Sequence, residues 1–256
     1  MELRDKVVVI TGAGSGIGAA LARRFSTERP RALVLADLNL ATAQEVADET
    51  DAVAFGVDVA RPEDNNRLVD EVEELFGPID LFCANAGIGF AGDEQTPPED
   101  WDRMWQVNVM SHVHAARRLI PSWTTRGAGY FLATVSAAGL LTNLKAAQYS
   151  VTKHAALAFA EWLAITYGDQ GVKVSCLCPM GVKTPFLESA AEFQELLLPH
   201  AIDPETVADE VVAGLASERF LILPHPEVEQ FFQNKANDYD RWLEGMRKLQ
   251  RSVFPS

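Results

Sequence analysis

The sequence is poor in positive charge. Its 22 Lys and Arg residues stand against 36 Asp and Glu residues, which gives a formal net charge of −14. A protein that binds nucleic acid needs a basic surface to neutralise phosphates. We therefore expect no nucleic-acid partner, and we attribute the acidic excess to solubility.

Long hydrophobic runs are also absent. No apolar stretch approaches the ~18 residues that cross a bilayer, and the N-terminal MELRDK lacks the pattern of a signal peptide. Repeats, low-complexity segments and linkers rich in Pro, Gly or Ser are missing as well. These absences predict a single domain over residues 1–256 that is cytoplasmic and has no membrane partner.

Cysteine is scarce. Cys83, Cys176 and Cys178 form an odd-numbered set without framework spacing, so we expect reduced thiols. Cys176 and Cys178 are two residues apart in a predicted strand, which is the wrong spacing for a CxxC redox or zinc motif. Core packing is the expected role of these thiols, and no metal site is predicted.

What the chain does contain is a regular alternation of strands and helices, typical of an α/β fold with a parallel sheet. Predicted strands cover residues 7–10, 32–36, 52–57, 79–84, 130–135, 172–178 and 220–223. Predicted helices cover residues 19–25, 40–50, 61–76, 98–123, 147–167, 204–215 and an amphipathic tail segment at 227–249.

The first strand runs into a glycine-rich turn and then a helix. Its continuous apolar run, Val7–Ile10, suits a strand that is buried on both faces. Glycines let the turn lie close to a bulky ligand, and the helix presents free N–H groups and the positive end of its dipole, which favours a pyrophosphate. The predicted cofactor-binding residues of the turn are Gly12, Gly14, Ser15, Gly16, Ile17 and Gly18.

Strand two ends at Asp37, about 20 residues after the glycine-rich turn, where a ribose-binding acid is expected. Its carboxylate would accept hydrogen bonds from the adenosine ribose and would repel a 2′-phosphate. Leu38 follows in place of a basic residue, so this pair favours NAD over NADP. Alternatively, Asp37 caps the helix at 40–50.

Two further strand ends carry candidate cofactor contacts. Asp58 and Val59 follow strand three, where the carboxylate either meets the adenine amino group or caps the next helix. Strand four ends in Asn85-Ala86-Gly87, whose small residues would let the backbone approach the nicotinamide-side ribose.

A tyrosine and a lysine share one face of the helix at 147–167. Tyr149 and Lys153 are four residues apart, and the ammonium, together with the nicotinamide ring, would lower a phenol pKa that is normally about 10. Ser136, after strand five, would donate a hydrogen bond to the developing alkoxide. Asn108 is a poor mid-helix residue, so it either reaches across to a partner or sits in a local distortion; there it would hold a water beside Lys153.

In order and spacing, these motifs resemble the short-chain dehydrogenase/reductase family over roughly residues 5–225. The resemblance implies a doubly wound Rossmann sheet of seven parallel strands in the order 3-2-1-4-5-6-7, and a homotetramer or homodimer. It also implies that Tyr149 is the general acid/base, supported by Ser136, Lys153 and Asn108. The matching motifs are TGAGSGIG at 11–18, NAG at 85–87, Asn108, Ser136, YSVTK at 149–153 and the segment 179–184.

One position departs from the family pattern. Where the family usually has Pro-Gly, this chain has Pro179-Met180, and the glycine follows at Gly181. Val182 and Thr184 still fall where the family contacts the carboxamide of nicotinamide. The family pattern therefore does not predict the local backbone shape at this position. Met180 would add a flexible thioether to the pocket wall.

The predicted substrate loop, 185–202, is rich in large apolar side chains, including Phe193 and Leu196. Only Lys145 or Lys183 would offer a fixed positive charge, so an apolar secondary alcohol or ketone of aryl, alicyclic or steroid-like shape fits best. The predicted substrate-pocket residues are Ser136, Ala138, Leu144, Tyr149, Met180, Phe186 and Leu187.

The aromatic tail, 227–256, extends past the usual end of the family core. It either crosses to a neighbouring subunit and helps close its pocket, or it packs on its own domain. The whole pattern predicts an NAD-dependent oxidoreductase that interconverts a small-molecule secondary alcohol and a ketone. The alternative is a non-catalytic NAD-binding sensor or scaffold on the same fold, against which the complete set of Asn108, Ser136, Tyr149 and Lys153 argues.

Overall fold

The computed structural model describes residues 1–189 and 197–254. Its strands are β1 (Val7–Thr11), β2 (Ala32–Asp37), β3 (Val53–Gly56), β4 (Leu81–Ala84), β5 (Gly129–Thr134), β6 (Val172–Leu177) and β7 (Leu221–Ile222). Within the described residues these strands form one parallel sheet in the order β3-β2-β1-β4-β5-β6-β7. The implied Rossmann sheet order is therefore confirmed.

Helices cover both faces of this sheet. Their bounds are α1 (Gly16–Ser26), α2 (Leu40–Thr50), α3 (Pro62–Phe76), α4 (Pro98–Trp105), α5 (Ser111–Arg126), α6 (Ala138–Leu141), α7 (Ala147–Tyr167), α8 (Pro185–Ser189), α9 (Pro204–Ala216), α10 (Glu227–Asn237) and α11 (Tyr239–Val253). A π-helical turn spans Gln106–Met110, and short 3₁₀ turns span Gly168–Gln170 and Leu198–His200.

The apolar run in β1 is explained by burial on both sides. Val7–Ile10 are fully buried, and alternate side chains enter opposite layers. Val7 and Val9 belong to the core layer beneath α3, α5 and α7. Val8 and Ile10 belong to the layer beneath α1, α2 and α9. Because strand order reverses at β1, which pairs with both β2 and β4, a crevice opens beyond the carboxyl ends of these strands.

The long helix predicted over 98–123 is present as one unbroken helical run, and it contains a local distortion at Asn108. The chain forms α4, then the π-helical turn, then α5, which continues to Arg126. The distortion coincides with Asn108, whose amide bonds to groups outside its own helix. Single π turns of this kind inside α-helices occur frequently at functional sites.

The tail is divided where one helix is predicted. Asp238 adopts an extended conformation between α10 and α11, and its carboxylate accepts a hydrogen bond from Arg241 N–H. An aspartate in this conformation is a strong helix N-cap, so it ends one helix and starts the next. The strands β3, β4 and β7 are each shorter than predicted.

Among residues 1–189 and 197–254, no helix has the length and apolarity needed to cross a membrane. The three cysteines are buried and unpaired.

Candidate active site

The glycine-rich turn joins β1 to α1 at the carboxyl edge of the sheet. Gly12 has a φ of +64°, a left-handed conformation that favours glycine. A Cβ on Gly18 would overlap the carbonyl oxygen of Gly12, so the start of α1 packs directly on the turn. Ser15 precedes α1 without a side-chain cap, which leaves N–H groups of the first turn available to an anionic ligand.

Five of the six residues predicted in this turn line one large cavity. Gly14 is the exception, because its N–H points to the end of β2 and donates to Asp37 Oδ2 at 2.9 Å. Gly14 therefore ties the turn to β2 and has no place in the cavity wall. The lining residues are Gly12, Ser15, Gly16, Ile17 and Gly18.

Asp37 ends β2 with its carboxylate beside the turn. Its Oδ1 accepts a hydrogen bond from Asn39 N–H at 2.9 Å. The cap of α2 is Asn39, whose Oδ1 accepts from Ala41 N–H, so the alternative that Asp37 caps this helix is wrong. Asp37 and Leu38 both line the cavity, and Leu38 is 76 % exposed there.

Asp58 and Val59 line the same cavity after β3. The Asp58 carboxylate accepts a hydrogen bond from Ala60 N–H at 3.0 Å. The cap position of α3 is Arg61, which makes no side-chain cap, so Asp58 does not cap that helix. The contact between Asp58 and an adenine amino group stays a prediction.

The Asn85 side chain holds three strand ends together. Its Nδ2 donates to Thr11 O at 3.0 Å and to Gly12 O at 3.3 Å, and its Oδ1 accepts from Thr134 Oγ1 at 3.0 Å. Sequence reasoning missed Thr11 and Thr134; a hydroxyl at the last position of a strand is the signal that marks them. Asn85, Ala86 and Gly87 all line the cavity.

Asn108 combines both alternatives that its position suggested. It lies in the π-helical turn, and its amide reaches across to other elements. Oδ1 accepts from Ile88 N–H at 2.9 Å, while Nδ2 donates to Ile88 O at 2.9 Å and to Thr152 Oγ1 at 3.2 Å. The amide thus holds the loop after β4 against α7, which makes Asn108 a positioning residue by geometry. The water beside Lys153 stays a prediction.

Tyr149 and Lys153 project from α7 into the cavity, and Ser136 lines it as well. Lys153 Nζ lies 5.6 Å from the centre of the Tyr149 ring and donates to Thr134 O at 3.1 Å. Ser136 Oγ accepts from Ala138 N–H at 3.1 Å and makes a long bond, 3.4 Å, to the carbonyl of the neighbouring Pro179.

Burial is the largest influence on the pKa values of Tyr149 and Lys153. It raises the pKa of Tyr149 to about 12, and a hydrogen bond with Ser136 opposes that rise. It lowers the pKa of Lys153 to about 8. Low dielectric disfavours the charged form of each group, so the expected lowering of the tyrosine pKa does not come from the chain alone.

Ser136, Tyr149 and Lys153 share one cavity of about 1510 Å³ with the glycine-rich turn, Asp37 and Asp58. Asn108 and Gly14 do not line it and act through their neighbours. Ordinary small-molecule sites occupy roughly 300–1,000 Å³, so this cavity has room for a dinucleotide and a second molecule.

A family model described as short chain dehydrogenase matches residues 6–195. The chain belongs to the short-chain dehydrogenase family. A 1-deoxy-11-beta-hydroxypentalenate dehydrogenase of Streptomyces exfoliatus is 31 % identical over 247 residues, 93 % of this chain and 90 % of that protein. A cyclohexanol dehydrogenase of Acinetobacter sp. is 33 % identical over 230 residues, 85 % of this chain and 90 % of that protein. The solved structure of a short-chain dehydrogenase/reductase from Burkholderia phymatum, in complex with NAD, is 27 % identical, with a TM-score of 0.88 and coverage of 94 % of this chain and 96 % of that one.

In this short-chain dehydrogenase, the segment after β6 forms the wall of the cavity next to Ser136. Thr184 Oγ1 donates to Val182 O at 3.2 Å, which closes a local turn. Met180 is half-buried and turned to the cavity. The residues of the segment that line the cavity are Pro179, Met180, Gly181, Val182 and Thr184.

Every residue predicted for the substrate pocket lines this cavity. The rings of Tyr149 and Phe186 lie 6.0 Å apart, which places an apolar wall against the phenol. Phe193 and Leu196 lie outside the described residues. The predicted residues in the lining are Ser136, Ala138, Leu144, Tyr149, Met180, Phe186 and Leu187.

The positively charged residues that line the cavity are not the two lysines expected from the sequence. Lys183 pairs with Asp203 at 3.1 Å, and Lys145 lies 5.8 Å from the ring centre of Phe254. Neither lysine lines the cavity, whereas Arg103 and Arg241 do. The expected source of positive charge is therefore wrong, because the tail brings its own arginine to the site.

The tail lines the cavity of its own chain. The rings of Phe231, on α10, and Trp242, on α11, lie 6.4 Å apart and both line the cavity. Met246 and Leu249 continue the same face of α11. In this chain the tail packs on its own domain and forms part of the pocket wall there. Its contact with a neighbouring subunit stays a prediction.

Proposed function

We propose that this short-chain dehydrogenase is an NAD-dependent oxidoreductase that interconverts a secondary alcohol and a ketone by hydride transfer. The observation that carries the proposal is that Tyr149, Lys153 and Ser136 share one cavity with the glycine-rich turn and Asp37. The names of the cyclohexanol dehydrogenase and of the NAD-bound structure support the two halves of the proposal, the alcohol and the cofactor.

The donor set of the cavity fits NAD. Free N–H groups at the start of α1 suit a pyrophosphate, and the Asp37 carboxylate suits ribose hydroxyls. When bound, NAD⁺ supplies the hydride acceptor and a positively charged ring. The proposed contacts are Gly12, Ser15, Gly16, Ile17, Gly18, Asp37, Leu38, Asp58, Val59, Asn85, Ala86, Gly87, Tyr149, Lys153, Pro179, Gly181, Val182 and Thr184.

Tyr149 acts as the general base in the oxidation. Its oxygen takes the proton of the alcohol hydroxyl as the hydride leaves carbon. The nearby ammonium of Lys153 favours the phenolate and so offsets the burial that raises the pKa of Tyr149 to about 12. Ser136 gives up its long bond to Pro179 and donates to the substrate oxygen, where negative charge develops.

The direct test is a panel of secondary alcohols, with NAD⁺ or NADP⁺ as oxidant, followed by the absorbance of the reduced nicotinamide. NAD⁺-dependent turnover is the expected result. NADH binding without turnover on any member of a panel that includes aryl, alicyclic and steroid alcohols would favour the sensor alternative instead.

The substrate class follows from the wall of the pocket. Leu144, Met180, Phe186, Trp242 and Met246 present apolar surface, which supports an aryl, alicyclic or steroid-like alcohol. Arg241, exposed on α11, also lines the cavity and would bind a polar or anionic group at the far end of such a substrate.

Asp37 is expected to set the preference for NAD. Replacing Asp37 with Ala removes charge-assisted hydrogen bonds to the ribose, so the ratio of kcat/KM for NAD⁺ to that for NADP⁺ falls by about 10- to 100-fold. Asp48→Ala is the matched control, because Asp48 lies on α2 and bonds to Gln44. An unchanged ratio in the Asp37 variant removes this residue from the ribose site.

The assembly we propose is a homotetramer or homodimer in the cytoplasm. Val151, Trp162 and Ile165 are 47 %, 52 % and 83 % exposed on one face of α7, an apolar surface suited to a second copy. Buried, unpaired cysteines support a reducing compartment. Light scattering on a size-exclusion column is expected to give the mass of two or four chains, and a monomer at micromolar concentration contradicts the proposal.

A further inference from the structure

The segment 178–184 must hold a defined backbone shape, because Val182 and Thr184 line the cavity and are the proposed contacts of the nicotinamide carboxamide. Its two ends are held by ordinary contacts. Cys178 N–H donates to Ile222 O at 2.9 Å, and Lys183 N–H donates to Ile202 O at 2.9 Å. In the middle of the segment, Pro179 O accepts a hydrogen bond from Ala137 N–H at 2.8 Å, and Gly181 O accepts one from Ile202 N–H at 3.1 Å. Neither of these bonds involves the N–H of Met180.

A histidine from outside the segment bonds to this N–H group. His225 follows β7 by three residues and is 2 % exposed. Its Nδ1 accepts a hydrogen bond from Met180 N–H at 3.1 Å, and its Nε2 lies 3.1 Å from Gly181 O. Both bonds fit one neutral tautomer, with the proton on Nε2, because the backbone N–H can only donate and the carbonyl can only accept. Burial lowers the pKa of His225 and so favours this neutral form.

The same contacts explain how the displaced glycine is tolerated. A Cβ on Gly181 would lie 2.8 Å from Leu197 O, so glycine is needed where the chain at 197–202 crosses the segment. Gly181 O also accepts from Ile202 N–H at 3.1 Å. Met180, whose N–H is bonded to His225, carries its side chain into the cavity.

We propose that His225 is a positioning residue that locks the backbone of Met180 and Gly181. The two hydrogen bonds of His225 thereby fix how Val182 and Thr184 are presented to the nicotinamide carboxamide. They also fix how the Met180 side chain is presented to the substrate. Both of these effects rest on the proposed NAD-dependent function.

Three variants separate the two bonds. His225→Leu removes both, His225→Asn keeps an acceptor near the place of Nδ1, and His225→Gln keeps a donor near the place of Nε2. The first readout is hydrogen exchange at the Met180 amide in the protein without added cofactor. We expect exchange to accelerate roughly tenfold or more in the Leu and Gln variants, and to stay near wild type in the Asn variant, which retains the acceptor.

The second readout is cofactor affinity. The Leu variant is expected to raise the Kd for NADH and the KM for NAD⁺ by about tenfold, with smaller rises in the Asn and Gln variants and a smaller change in kcat. Lys235→Met is the matched control. Lys235 Nζ anchors α10 to Leu140 O at 2.6 Å, so its loss loosens the helix that follows His225 without touching Met180.

Unchanged Met180 exchange in both the Leu and the Gln variants overturns the proposal. Equal acceleration in the Lys235→Met control also overturns it, because the effect would then be general loosening. If the Leu variant does not fold, Met180 exchange in the Asn and Gln variants is the test. Faster exchange in the Gln variant than in the Asn variant supports the proposal, and equal exchange in the two overturns it. The wild-type protein could also fail to bind NADH while Met180 exchange still accelerates in the Leu and Gln variants. That result would support the positioning role of His225 and overturn the proposed function.

Discussion

Replacing Tyr149 with Phe is expected to reduce turnover by roughly 10³-fold or more, the scale of losing a positioned acid/base group. NADH affinity is expected to change by less than about tenfold, because at most one hydrogen bond to the cofactor is lost. The measurement is kcat with the best alcohol of the panel, together with an NADH fluorescence titration of the same preparation.

The structure makes this substitution a clean one. The Tyr149 ring is held beside Phe186, 6.0 Å away, and beside Lys153 Nζ, 5.6 Å away. A phenylalanine ring keeps those neighbours and loses only the hydroxyl. The deficit is therefore expected in kcat, with the fold and the cofactor site intact.

Tyr167→Phe is the matched control. It makes the same chemical change at the far end of the same helix, where Tyr167 contacts Trp162 and does not line the cavity. We expect wild-type turnover from it. Turnover retained by the Tyr149 variant contradicts the assigned mechanism, whatever the control does.

Replacing Gly18 with Ala is expected to abolish measurable NADH binding and to lower the free energy of unfolding by about 1–3 kcal/mol. The new Cβ would overlap the Gly12 carbonyl and lie 2.8 Å from Asn85 Nδ2. Both neighbours belong to the bond network that joins β1, β4 and β5. The turn must therefore move away from α1, which removes the aligned N–H groups.

Gly168→Ala provides the comparison for Gly18. A Cβ there meets nothing within 4 Å, and the residue has helical φ and ψ. Denaturant unfolding and NADH titration of the two variants, side by side, isolate the effect of the crowded position. Wild-type NADH affinity in the Gly18 variant would mean that the turn is not the pyrophosphate site.

The sheet was predictable because its signals are local. Val7–Ile10 is a continuous apolar run followed by a glycine-rich turn, a pattern typical of a strand that is covered on both faces. The alternation of strand and helix along the chain implies parallel crossovers. The strand order itself came from the family resemblance, and the structure confirms it.

Several parts of the site were less predictable because they depend on contacts distant in sequence. Asn108 is unusual in the middle of a predicted helix, yet nothing in the sequence identifies its partners, Ile88 and Thr152, which lie 20 and 44 residues away. The break at Asp238 follows from a single cap that overrides the amphipathic pattern of the tail. Nothing local marks His225 or Arg241, since each reaches the site from beyond the last strand.

Three features follow from local sequence: the order of strands and helices along the chain, the glycine-rich turn with its helix, and the pairing of Tyr149 with Lys153 on one helical face. These depend on neighbours within a few residues, where spacing alone decides which side chains meet. Three other features become visible only in the folded chain: Gly14 N–H donates to Asp37, the tail lines the cavity of its own chain, and His225 bonds to Met180. A hydrogen bond or a packed face between residues distant in sequence exists only after the sheet has brought them together.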